Sequence, residues 1–117
     1  MSKRGDKEFL CDVKEAIERI TIYVGEINYE EFLQRIMMQD AVVRNLEIIG
    51  EAVKNLSKDL IKRHSDIEWK DFAGIRDKII HFYFGVKWSI VWSVIKDRLP
   101  ELKKQVEDIL MKEFLTP

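Results

Sequence analysis

Three side chains in the second half of the chain are of types that handle protons and phosphate. They are Arg76, His81 and Tyr83, set in Arg76-Asp77-Lys78-Ile79-Ile80-His81-Phe82-Tyr83 with Phe84-Gly85 directly behind. A histidine near neutral pKa takes or gives a proton, and a guanidinium stabilises charge that develops on phosphorus. RNA cleavage through attack of its own 2′-hydroxyl needs little more than these, provided a base and an acid flank the phosphate.

An α-helix turns about 100° per residue, which decides what this run can present on one face. The helical neighbours of Arg76 are Phe72, Ala73, Ile79 and Ile80, so a permanent cation sits in an apolar arc. Tyr83 falls within about 20° of Arg76, whereas His81 lies about 140° away, one turn after Asp77 and able to pair with it at i, i+4. One straight helix therefore cannot aim Arg76 and His81 at one small group. Either the helix loosens towards Gly85, a residue that can stop a helix, or a second copy of the chain completes the site. Taken alone, His81 reads slightly more readily as a structural or surface residue than as a catalyst. Arg76 as a buried ion pair and Tyr83 as a core tyrosine are comparably strong readings.

Other chemistries find less support. Two histidines and one cysteine show no metal-ligand spacing, so no metal is expected, and no glycine-rich phosphate loop is present. No cofactor is expected either. The serines lack the strand-turn-helix setting of a nucleophile. Phe82, Phe84, Trp88 and Trp92 are read as packing residues before base-stacking ones. His64, in a polar run, reads as a surface histidine.

The elements that must position the motif are helical throughout. Leu10, Val13, Ile17, Ile20 and Val24 recur at helical spacing before Gly25, and Asn28 with Glu31 forms a capping-box-like start for a short helix through Ile36. Met37 to Asp40 reads as a kink or a cap. Val42, Leu46, Ile49, Val53, Leu56 and Leu60 then make the most regular seam, with Ser57 capping a last turn through Ile61 and an exposed loop over 62–66. Within that seam Asn45 is a polar group in an apolar arc. It reads as a helix-to-helix hydrogen bond or as support for the Arg76 region. Glu47 and Glu51 read as solvated, or as counter-ions for Arg76, since a buried cation must be paired. Ser65 with Glu68 is a second capping-box candidate, opening the helix that carries Trp69, Phe72, Arg76 and Tyr83. The run from Val86 to Ile95 is apolar nearly all round, hence central to the bundle or covered by a partner, and Pro100 restarts or kinks the helix behind it.

These 117 residues, 46% hydrophobic, read as one domain over 1–117 with a single core and no need of staples. Twenty basic against 21 acidic residues leave a net charge of −1, so nucleic-acid binding must come from a local patch. A lone Cys11, no membrane-length apolar run and no signal-peptide core make a reducing cytoplasm the simplest address. The fold expected is an all-α antiparallel four-helix bundle with additional short helices, the last helix long and bent.

Taken together, these residues make the sequence resemble the HEPN-domain family, and within it the HepT-like toxins. The resemblance is carried by Arg76-x4-His81-x-Tyr83 within Trp69-Lys70-Asp71-Phe72-Ala73-Gly74-Ile75-Arg76-Asp77 and Phe84-Gly85-Val86. A second block is Gln39-Asp40-Ala41-Val42-Val43-Arg44-Asn45-Leu46-Glu47-Ile48-Ile49-Gly50-Glu51-Ala52, and a third is Leu99-Pro100-Glu101-Leu102. It implies a HEPN-like bundle that dimerises so that two motifs face a shared cleft. It also implies a metal-independent ribonuclease toxin whose partner, a minimal nucleotidyltransferase antitoxin, silences it by attaching AMP to the motif tyrosine. Carried over by position, Arg76 and His81 are the catalytic pair and Tyr83 is the modified residue, while Asp77 beside the arginine, and Asn45 and Glu47 by their own helical placement, are the supporting candidates. Asp77 stands where relatives often have asparagine, and an acid there raises the pKa of His81. In an alternative reading the motif no longer cleaves, and the chain is a nucleotide- or partner-binding dimer that the transferase modifies.

Overall fold

The computed structural model describes residues 4–81 and 87–114, apart from the side chains of residues 76 and 78–81, and it is helical without a strand in that range. Helix α1 spans Asp6–Val24, and its seam Leu10, Val13, Ile17, Ile20 and Val24 is buried as expected. Gly25 ends it with φ +54°, a conformation that costs a Cβ-bearing residue about 1 kcal/mol, while its N–H donates to the Thr21 carbonyl at 2.9 Å. The capping box at Asn28 is present: Asn28 Oδ1 accepts from the Glu31 N–H at 2.8 Å, and Glu31 Oε1 accepts from the Asn28 N–H at 3.3 Å. It opens α2, Tyr29–Leu33, which stops short of the expected Ile36.

Ile36 instead begins α3, Ile36–Lys54, so residues 37–40 lie inside a helix and form neither kink nor cap. The reason is Gln39, whose Nε2 donates to the Phe32 carbonyl at 2.9 Å and satisfies the end of α2 from within α3. The long seam also breaks earlier than its spacing suggests. Asn55 caps α3, and Ser57 Oγ accepts from the Leu60 N–H at 3.1 Å to start a separate helix α4, Lys58–Arg63. Leu56 and Leu60 stay buried, one in the turn and one in α4. Lys62 and Arg63 are therefore helical rather than part of an exposed loop. Asp6 accepts from both the N–H and the hydroxyl of Ser57, which fixes the start of α1 against the α3–α4 junction.

Helix α5, Trp69–His81, begins four residues past Ser65, so the expected capping box there does not form. After residue 87 the chain is helical to residue 114: α6 is Trp88–Ser93, a π-helical stretch covers Val94–Arg98, α7 is Leu99–Ile109, and a second π-helical stretch covers Leu110–Phe114. The first π stretch lies just before Pro100, the residue expected to restart or kink the helix. A proline at 100 offers no N–H to the carbonyl of residue 96 and its ring crowds that turn. The helix widens just ahead of it, with the Leu99 N–H donating five residues back to the Val94 carbonyl.

Helices α1 and α7 run antiparallel, with Lys14 to Glu107 at 3.6 Å and Glu18 to Lys103 at 3.7 Å. Such exposed pairs contribute about 0–1 kcal/mol each, against about 1.5–3 kcal/mol for burying one large apolar side chain, so the core holds the bundle together. That core joins the α1 and α3 seams to Phe32, Trp69, Phe72, Val91, Ile95, Leu99, Leu102, Val106 and Ile109. Phe32 sits against the rings of Trp88 and Trp92, at centroid distances of 5.7 and 5.2 Å, and seats α2 on α6. Those two tryptophans thus pack, as expected. Within one chain the run through α6 is not buried all round: Val91 and Ile95 enter the core while Ile90 stands exposed. Among the described residues no helix is long and apolar enough to cross a membrane.

Candidate active site

Two buried aromatics anchor α5. The indole Nε1 of Trp69 donates to the His64 carbonyl at 3.0 Å, and Phe72 lies under the Arg98 guanidinium, 5.1 Å from the ring centroid. By helix geometry position 76 falls within about 40° of both, on the stripe that they bury. The backbone of α5 thus sets position 76 in the register of that stripe. Asp77 is on the next flank. Its carboxylate receives Lys54 Nζ of α3 at 3.4 and 3.5 Å, and both side chains remain well exposed. Position 81, one turn further, shares the Asp77 flank and stands about 140° from position 76, because α5 is unbroken through His81.

The side chains of Arg76 and His81, and all of Tyr83, Phe82, Phe84, Gly85 and Val86, lie outside the described residues. The other two supporting residues, Asn45 and Glu47, fall on α3. Asn45 is 4% exposed, and its Nδ2 donates to the Ala41 carbonyl of its own helix at 2.9 Å. The helix-to-helix bond expected of this amide is thus not made among the described residues, where Oδ1 finds no donor. A buried acceptor without a donor costs about 1–3 kcal/mol, which makes Asn45 a costly residue to keep on packing grounds alone. Glu47 is half-buried and lines a groove of about 400 Å³ between α1 and α3, together with Arg4, Arg44 and Glu51. Among the described residues, Asp77 is the one of these three supporting side chains that is tied to a neighbouring helix.

A second polar cluster escaped sequence reasoning. His64 is not a free surface histidine: its side chain is 25% exposed and its Nε2 pairs with Glu113, which also accepts from Arg63 at 2.6 Å. Arg63 pairs with Asp59 as well. The His64 hydrogen bond, and after it the Arg63 one, hold the Glu113 carboxyl below the usual carboxylate range. Nothing local signals a partner 49 residues away. Beside α5, Arg98 lies 3.5 Å from Asp71 and 3.7 Å from Glu68. A hydrogen bond with Asp71, reinforced by its charge, pushes Glu68 up from the ordinary carboxylate value.

Known proteins resemble the chain over nearly its whole length. The family model described as "Ribonuclease HepT-like" matches residues 13–109. A protein of Caldanaerobacter subterraneus subsp. tengcongensis named "Putative RNase TTE0752" is 46% identical over 92% of this chain and 96% of its own. "Probable ribonuclease HepT" of Thermococcus cleftensis is 45% identical over 92% and 97%. "Putative RNase MJ1216" of Methanocaldococcus jannaschii is 44% identical over 94% and 91%. No solved structure gives a significant match.

Proposed function

The chain belongs to the HepT-like ribonuclease family, and from that premise we propose that it is the toxin of a toxin–antitoxin pair, a metal-independent endoribonuclease acting in the cytoplasm. In this reading Arg76 and His81 work in a cleft shared by two copies of the chain, and a partner minimal nucleotidyltransferase silences them by attaching AMP to Tyr83. The observation that carries the two-copy site is the continuity of α5 through His81. It keeps positions 76 and 81 about 140° apart on one helix, so two chains with facing motifs supply both groups to one phosphate more readily than one chain does.

The chemistry needs no resident cofactor. His81 of one copy accepts the proton of the RNA 2′-hydroxyl as the oxygen attacks phosphorus, and the bond to the 5′-oxygen breaks. Water gives that oxygen a proton and the hydroxide so formed takes the proton held on His81, leaving a 2′,3′-cyclic phosphate, a 5′-hydroxyl and the neutral imidazole. Arg76 of the other copy stabilises the charge on the non-bridging oxygens. Silencing runs by attack of the Tyr83 oxygen on the α-phosphorus of ATP, with pyrophosphate leaving. The added AMP, anionic and bulky on the stripe of Arg76, neutralises the guanidinium and blocks the phosphate position.

Purified, unmodified protein is expected to degrade RNA in EDTA, and His81→Ala to abolish this. Tyr83→Phe is expected to leave an enzyme that partner and ATP neither mass-shift nor silence. A chain that accepts AMP at Tyr83 yet cleaves nothing in any form is instead the non-catalytic, transferase-modified dimer.

A further inference from the structure

A cleft of about 200 Å³ opens between α5 and α6, lined by Leu46, Phe72, Ile75, Ile90, Val91 and Val94, with Asp71 and Arg98 at its rim. The geometry points to this cleft as a nucleobase subsite, preferring purines, for the RNA whose phosphate the motif holds. The occupant rests on the ribonuclease reading, because Phe72 lies one turn ahead of position 76 on the same helix.

Size and charge narrow the ligand. Drug-sized ligands fill about 300–1,000 Å³, so this cleft takes one ring system and not a whole nucleotide. Its walls are apolar, and Ile90, 57% exposed, stands at the opening where an incoming ring would cover it. The rim is a matched couple: Arg98 faces Asp71 and Glu68, so an anion meets carboxylates and a cation meets a guanidinium. A neutral, flat molecule with donors and acceptors on its edge fits both parts, its faces on the aliphatic walls and its edge at the Asp71–Arg98 couple. The Arg98 guanidinium carbon lies 5.1 Å from the Phe72 ring centroid, a cation–π contact that holds the arginine at the rim. Purines offer the larger face, and the apolar contribution grows with the area covered.

Methyl-labelled protein titrated with adenosine, guanosine, cytidine and uridine, all without phosphate, tests this apart from catalysis. Purine nucleosides are expected to shift the methyls of Ile75, Ile90, Val91 and Val94 while leaving Ile20 and Val106 in place. Ile90→Ala, a truncation of an exposed side chain, is expected to weaken purine binding about fivefold. Val94→Phe, which fills the cleft, is expected to abolish it. Purine binding without RNA cleavage upholds the subsite and removes the ribonuclease reading. RNA cleavage without a nucleoside shift overturns the subsite alone. Shifts of the same methyls on dilution, unaffected by nucleosides, show the cleft covered by a second copy and also overturn it.

Discussion

Lys54 Nζ lies 3.4 Å from Asp77 Oδ1, which ties the last turn of α3 to the motif helix on the flank that position 81 shares. Asp77 thus stands between a lysine on one side and, one turn on, the histidine proposed to move protons. In the proposed site a carboxylate one turn ahead of the histidine can pair with an imidazolium, and a lysine competing for that carboxylate weakens the pairing. Asp77→Asn is therefore expected to move the His81 limb of the pH–rate profile to lower pH, and Lys54→Met to move it higher. The pair itself is exposed and contributes at most about 1 kcal/mol, so neither change should shift Tm by more than a few degrees. Profiles that coincide with wild type for both variants would confine Asp77 to its lysine.

Asn45 separates a structural from a supporting role. An apolar residue of similar volume removes a buried acceptor that lacks a donor among the described residues, and on packing grounds this is nearly neutral or stabilising. Asn45→Leu is expected to hold Tm within a few degrees, yet to lower kcat/KM for RNA about tenfold, a loss of roughly 1.4 kcal/mol in transition-state stabilisation. Unchanged cleavage would leave Asn45 as a packing residue only.

The Glu113 cluster sets an acid limit on stability. Its folded-state pKa is held below the unfolded value by His64 and Arg63. The stabilisation is therefore complete above the unfolded carboxylate value of about 4.3, and is lost as pH falls through the lower folded value. Glu113→Gln should be less stable than wild type in urea at pH 7, and the gap should close in acid below both values. A gap that persists there would mean that the loss comes from packing and not from the charge.

Periodicity made the helices legible, because a buried stripe repeats every three or four residues whatever it packs against. The seams of α1 and α7, the Asn28 box and the Gly25 stop all arise from such local rules. Boundaries set by distant groups did not show. Gln39 satisfies a carbonyl of the preceding helix, and His64 finds its carboxylate on the far side of the chain, neither of which leaves a mark in nearby sequence. The seam that ran on to Leu60 was misleading because Leu56 and Leu60 are buried just as a helical seam requires, although Ser57 starts a new helix between them. At the site, helix spacing fixed the register of positions 76, 77 and 81. The Lys54 partner of Asp77 and the groove beside Glu47 depend on how α3 meets its neighbours and were not legible.

The most direct measurement pairs two inactive chains. Arg76→Ala and His81→Ala proteins are purified separately, then co-refolded at equal amounts, and RNA cleavage is followed in EDTA. The expected result is silence from each variant alone and recovered cleavage in the mixture, because one of the two composite Arg–His pairs facing the shared cleft of a mixed dimer keeps both groups. Cleavage by either variant alone would contradict the assignment of the site. A mixture that stays silent although mixed dimers are confirmed by mass would contradict a site built from two chains.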